Sequence, residues 1–122
     1  MSVLDEYEKF VDRRCKKGAE IVLSVAERHV MHMVLGLAGE VGELVDAIKK
    51  SLIYSKTMDV DNVIEELGDI EFYLAGLRNG LRKCGHEVPS VENIVARNMA
   101  KLIRRYPDGY TNEAAQQRAD KV

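Results

Sequence analysis

Apolar residues recur along this chain in steps of three and four, the spacing of helices lying on a core, and no segment shows the β-branched two-step alternation of a strand. One stripe joins Val30, Met33, Val34, Leu37, Val41, Leu44 and Ile48. A second joins Val63, Leu67, Ile70, Leu74, Leu77 and Leu81, and a third, after Pro89, joins Val91, Ile94, Val95, Met99 and Leu102. Start and stop residues bound these stretches. A first helix is predicted from about Ser2 to Lys17, stopped by Gly18. The second opens at a capping box, Ser24-Val-Ala-Glu27, and continues to about Leu52. The third starts at Asp61 or Asn62 and ends before Gly85, and the fourth runs from Ser90 to Tyr106-Pro107. A short, weak helix follows Thr111, with frayed residues after it. The expected fold is all-α: an antiparallel four-helix bundle-like domain, with residues 1–122 forming a single domain.

Five glycines interrupt this scheme. Gly36, Gly39 and Gly42 in the second helix, and Gly68 and Gly76 in the third, each cost helix propensity by up to ~1 kcal/mol relative to alanine. Such positions mean either close approach of helices or space reserved for a ligand.

Acidic residues give the second reason to expect a ligand. Glu40-x-x-Glu43 and Glu66-x-x-Asp69 share one spacing, each inside a helical stretch. At ~100° per residue, Glu40 and Glu66 fall roughly 60° from the centre of their stripes, and Glu43 and Asp69 roughly 120°. Each helix therefore offers one half-buried acid and one flanking acid, whereas Asp46 and Glu65 point nearly away from the core. Tyr54 to Asp59 form a polar loop, and the helical legs on either side of it nearly match in length. The two pairs can then meet side by side. Four carboxylates in one place repel unless a strong positive charge sits among them. All-oxygen ligation favours Mg2+, or Mn2+, over zinc. His29 and His32 have no apparent third ligand and are read as core or helix-surface histidines.

Charge is unevenly distributed. The net charge is −2, yet no acid occurs between Glu92 and Asp108, where Arg97, Lys101, Arg104 and Arg105 lie. Asn98, Lys101 and Arg105 follow one edge of the third stripe, and Lys50 shares the Glu43 side of the second helix. Bound metal beside Lys and Arg suits a polyphosphate. The acidic face and the scarcity of aromatics among these cations argue against nucleic acid. Two cysteines, Cys15 and Cys84, stand in no metal or redox motif, and are read as reduced thiols. No signal peptide and no apolar run near the ~20 residues needed to cross a bilayer is seen. A soluble, cytoplasmic protein with no membrane partner is expected.

The run LGLAGEVGEL, then EELGD, then NMAKLIRRYPDGY, resembles the MazG-like nucleotide pyrophosphohydrolases of the all-α NTP pyrophosphatase superfamily, over roughly Leu35 to Tyr110. The resemblance implies that Glu40, Glu43, Glu66 and Asp69 ligate Mg2+, and that Lys101 and Arg105, with Asn98 and Lys50, contact substrate phosphates. It further implies a nucleoside triphosphate substrate cleaved to the monophosphate and pyrophosphate. A homodimer or homotetramer is implied as well. Glu43, the freest of the four acids, is the candidate general base. Related alternatives are a dUTP/dCTP or phosphoribosyl-ATP pyrophosphatase, and a non-enzymatic helical interaction module stabilised by metal.

Overall fold

The computed structural model describes residues 2–121. Among them are five α-helices and no strand: α1 (Val3–Asp12), α2 (Val25–Leu52), α3 (Val60–Lys83), α4 (Val91–Arg105) and α5 (Asn112–Gln117). Two 3-10 turns, Gly18–Glu20 and Ala119–Lys121, complete the regular structure. The chain divides into two compact units, Met1–Gly85 and His86–Val122.

Helix starts follow side-chain chemistry closely. Ser2 caps α1 and Ser24 caps α2, each in a reciprocal capping box with Asp5 or Glu27. Asp59 accepts from the Asn62 backbone at 3.1 Å, so α3 starts slightly earlier than expected. Ser90 and Thr111 cap α4 and α5. In each case a side-chain oxygen satisfies a backbone N–H that the first helical turn leaves without a partner. Helix ends are less regular. α1 stops at Asp12 rather than Lys17, because the basic run after it turns back onto the helix. Arg13 donates to the Lys9 carbonyl, Arg14 to the Phe10 carbonyl at 3.1 Å, and Lys17 to the Asp12 carbonyl at 2.7 Å. Arg14 and Lys17 thereby take the Phe10 and Asp12 carbonyls, which another helical turn would have used.

Within the first unit, α2 packs against α3 as a long hairpin. Facing positions rise in number on α2 as they fall on α3: Val30 with Gly80, Met33 with Gly76, Gly36 with Tyr73. The helices are therefore antiparallel. Glycine makes the approach possible. A Cβ on Gly36 would meet the Tyr73 ring, one on Gly76 the Met33 sulfur, and one on Gly80 would lie 2.9 Å from Val30 Cγ2. Met33 is the only buried large apolar side chain among the described residues, at 6% exposure. His29 is half-buried beside Gly80. Much of the predicted stripes stays accessible, including Val34, Val41 and Leu67, and so do Val3, Leu4, Tyr7 and Phe10 on α1.

The second unit is organised by α4, against which α5 and the last 3-10 turn pack. Arg105 grips Asp120 bidentately, Nε to Oδ1 at 2.7 Å and Nη2 to Oδ2 at 3.0 Å, with the aspartate side chain fully enclosed. The pair lowers the Asp120 pKa and raises that of Arg105. The segment expected to fray is thus an ordered turn held by a charge-assisted fork. Between α4 and α5 the chain reverses through Gly109, whose φ of +91° favours glycine, and the Tyr106 and Tyr110 rings come to 5.4 Å.

Candidate metal centre and its cavity

The hairpin register carries the acids to a common level. Glu40 and Glu43 on α2 and Glu66 on α3 each offer a carboxylate oxygen, and these atoms all lie within 4.8 Å of one another. The same register sets Asp69 level with Glu40, but its carboxylate lies outside this group and the residue is exposed. Three of the four expected ligands are therefore gathered and one stands apart. Burial follows the helical angles: Glu66 is buried at 8% exposure, Glu40 half-buried, and Glu43 and Asp69 exposed.

Electrostatically the cluster is incomplete. Glu40 Oε2 and Glu66 Oε2 are buried with no hydrogen-bond partner. A buried carboxylate oxygen without a donor costs free energy that a native site recovers through a proton or a cation. Without an ion, a proton fills that role as pH falls below about 7. The Glu66 pKa is raised to about 7, first by a hydrogen bond with Glu40, then by desolvation and by the Glu43 charge. Orphaned oxygens on two facing helices, with a third carboxylate at the same point, fit a hard divalent cation. Zinc is a poorer match for an all-carboxylate set.

Beside the cluster lies an open cavity of about 690 Å³. Gly39, Gly42, Glu43 and Glu66 line it, together with Lys50, Lys56, Thr57, Asp59 and Asn62. Gly39 and Gly42 meet nothing within 4 Å at the Cβ position, so they serve the open space rather than helix contact. Lys50 lies in the lining, bound to Asp46 at 2.9 Å. Asp46, expected to point away into solvent, also lines the cavity. Sequence reasoning passed over Lys56, Thr57 and Asn62 because they belong to the loop and the first turn of α3, outside any helical stripe. In the second unit, Lys101 is half-buried and Asn98 exposed. Arg105 has one edge of its guanidinium committed to Asp120.

A helical hairpin bearing converged carboxylates beside a polar cavity defines the class: an all-α protein whose acidic cluster could hold a metal ion. Residues 28–110 match the MazG nucleotide pyrophosphohydrolase domain, and the chain belongs to that family, whose domain implies nucleotide pyrophosphohydrolase activity. No curated protein and no solved structure matches the chain. No helix among the described residues is long and apolar enough to cross a membrane.

Proposed function

We propose that this protein is a Mg2+-dependent pyrophosphohydrolase that converts a nucleoside triphosphate, ribo- or deoxyribo-, to its monophosphate and pyrophosphate. The observation that carries the reading is the pair of orphaned oxygens on Glu40 and Glu66, converging with Glu43 at the wall of a polar cavity. Glu40, Glu43 and Glu66 hold the cation, and Asp69, level with Glu40, joins them through a side-chain rotation. A bound divalent ion would neutralise phosphate charge and lower the pKa of a water molecule. Glu43, the exposed member, is the freest to orient that water and accept its proton. Lys50 stands in the cavity lining paired with Asp46, and Lys50, Lys101, Arg105 and Asn98 are assigned as phosphate contacts on the family pattern alone. Arg105 would use the guanidinium edge that Asp120 leaves open.

The uncovered apolar faces support self-association into a homodimer or homotetramer, in which hairpins of different copies complete a four-helix bundle. The deciding experiment measures pyrophosphate and monophosphate release from a panel of NTPs and dNTPs with Mg2+. The panel includes dUTP, dCTP and phosphoribosyl-ATP, which separates the related pyrophosphatases. Metal-dependent melting with no pyrophosphate from any nucleotide would instead identify a metal-stabilised helical module.

A further inference from the structure

The loop between α2 and α3 holds a residue in a conformation its side chain disfavours. Ser55 has φ of +55°, and it is one of only two described non-glycine residues with positive φ. Such a conformation costs free energy and persists where the surroundings demand it, commonly at a functional site. Its effect here is local. After Ser55 the chain doubles back, and the Lys56 N–H donates to the carbonyl of Lys50 at 3.2 Å, two residues before the end of α2. Lys56 and Thr57 are thereby set in the lining of the cavity that Glu43 and Glu66 share.

The charged groups of that lining can be matched one against another. It contains Glu43, Asp46, Asp59, Glu66, Lys50 and Lys56. Asp46 and Lys50 neutralise each other at 2.9 Å. Asp59 is occupied as the cap of α3, accepting from the Asn62 N–H. Glu43 and Glu66 belong to the carboxylate cluster. Lys56 remains, and it has no ion pair among the described residues. A cavity whose lining includes members of a cation-seeking cluster and an uncommitted lysine next to a hydroxyl residue fits an extended anion reaching from the metal to the lysine. Anion charge beyond the reach of the metal needs its own counter-charge.

We infer that Lys56, assisted by the Thr57 hydroxyl, binds the β- and γ-phosphates of the substrate, the part that leaves as pyrophosphate, and that the Ser55 turn exists to present them. This assignment rests on the pyrophosphohydrolase reading above. It predicts a signature confined to the phosphate chain. Lys56→Gln raises KM for the triphosphate and weakens competitive inhibition by inorganic pyrophosphate, each about tenfold or more, the size expected for a lost charge-assisted contact. Inhibition by the nucleoside monophosphate stays as in the parent protein. Lys56→Arg restores most of the loss, and far-ultraviolet circular dichroism confirms that both variants fold.

Unchanged pyrophosphate inhibition in Lys56→Gln, with the parent enzyme active, overturns the Lys56 assignment and leaves the enzymatic reading standing. A parent protein inactive on every nucleotide sinks that reading. In that event calorimetric titration with Mg2+ and inorganic tripolyphosphate decides the Lys56 assignment: binding weakened about tenfold in Lys56→Gln supports it, and equal binding by the two proteins overturns it.

Discussion

Replacing single glycines along α2 by alanine should separate two reasons for their presence, and the structure supplies the expected signs. At Gly36 the new methyl would overlap the Tyr73 ring, with Cδ1 at 2.6 Å and two other ring atoms nearer still. Overpacking of this kind costs ~1–3 kcal/mol. The substitution gains up to ~1 kcal/mol of helix propensity, so Gly36→Ala should destabilise by about 1–2 kcal/mol once propensity is set against overpacking. At Gly39 the methyl meets nothing within 4 Å. There propensity acts alone, and Gly39→Ala should stabilise by ~0.5–1 kcal/mol. With a urea dependence of ~1–3 kcal/mol per M, the two unfolding midpoints should differ by roughly 0.5–3 M at equal protein concentration. Function runs the other way for Gly39. It lines the cavity, and the added methyl should raise KM severalfold while the fold gains stability. Midpoints that move in the same direction, or that coincide within ~0.3 M, would refute the division into contact glycines and cavity glycines.

Other consequences follow from the same geometry. Because the folded pKa of Glu66 lies near 7, above its ordinary value of 4.5, the native state keeps a proton that the unfolded chain has lost between those values. Stability of the metal-free protein should therefore be highest below about pH 4.5 for this group and fall as pH rises through 7. Melting curves in EDTA should show this decline and Mg2+ should reverse it; a metal-free melting temperature that rises over the same range would contradict the coupling. Glu66→Gln and Glu40→Gln should each abolish pyrophosphate release while raising the metal-free melting temperature at pH 8, as measured by parallel turnover and melting assays. Asp69→Ala should also abolish turnover with helical content intact, and full activity would restrict the centre to three carboxylates. Asp120→Ala should release the last 3-10 turn, read as severalfold faster tryptic cleavage after Arg118 under native conditions; an unchanged rate would deny the Arg105 fork its anchoring role. Phe72→Glu, at a side chain 65% exposed, should lower the sedimentation-derived mass if that face is an interface between copies.

What the linear chain revealed was whatever helical periodicity controls. Ser24, Ser90 and Thr111 announced their helices because capping is a local reaction between a side chain and the next turn. That Glu40 and Glu66 are more buried than Glu43 and Asp69 was legible for a similar reason, since an angle around a helix needs no knowledge of its partner; the deeper burial of Glu66 was not. Asp69 marks where this stops: its angle was readable, but its place outside the cluster was not. The loop was opaque. Nothing in Ser55-Lys56-Thr57 distinguishes a passive linker from a left-handed turn that sets a lysine in a cavity wall. Arg13, Arg14 and Lys17 ended α1 by folding back, a competition between side chains and backbone that favoured Gly18 as the apparent stop. Asp120 escaped notice because its partner lies 15 positions away.

The sparse interior of the hairpin has a practical consequence for anyone assaying this protein. A unit that, among its described residues, encloses Met33 alone of the large apolar side chains draws little cohesion from within one copy. If association supplies the rest, mass action makes the working state depend on how much protein is in the tube. Specific activity should then fall when stocks are diluted to nanomolar levels and recover on reconcentration, so rates taken at a single dilution would understate the enzyme.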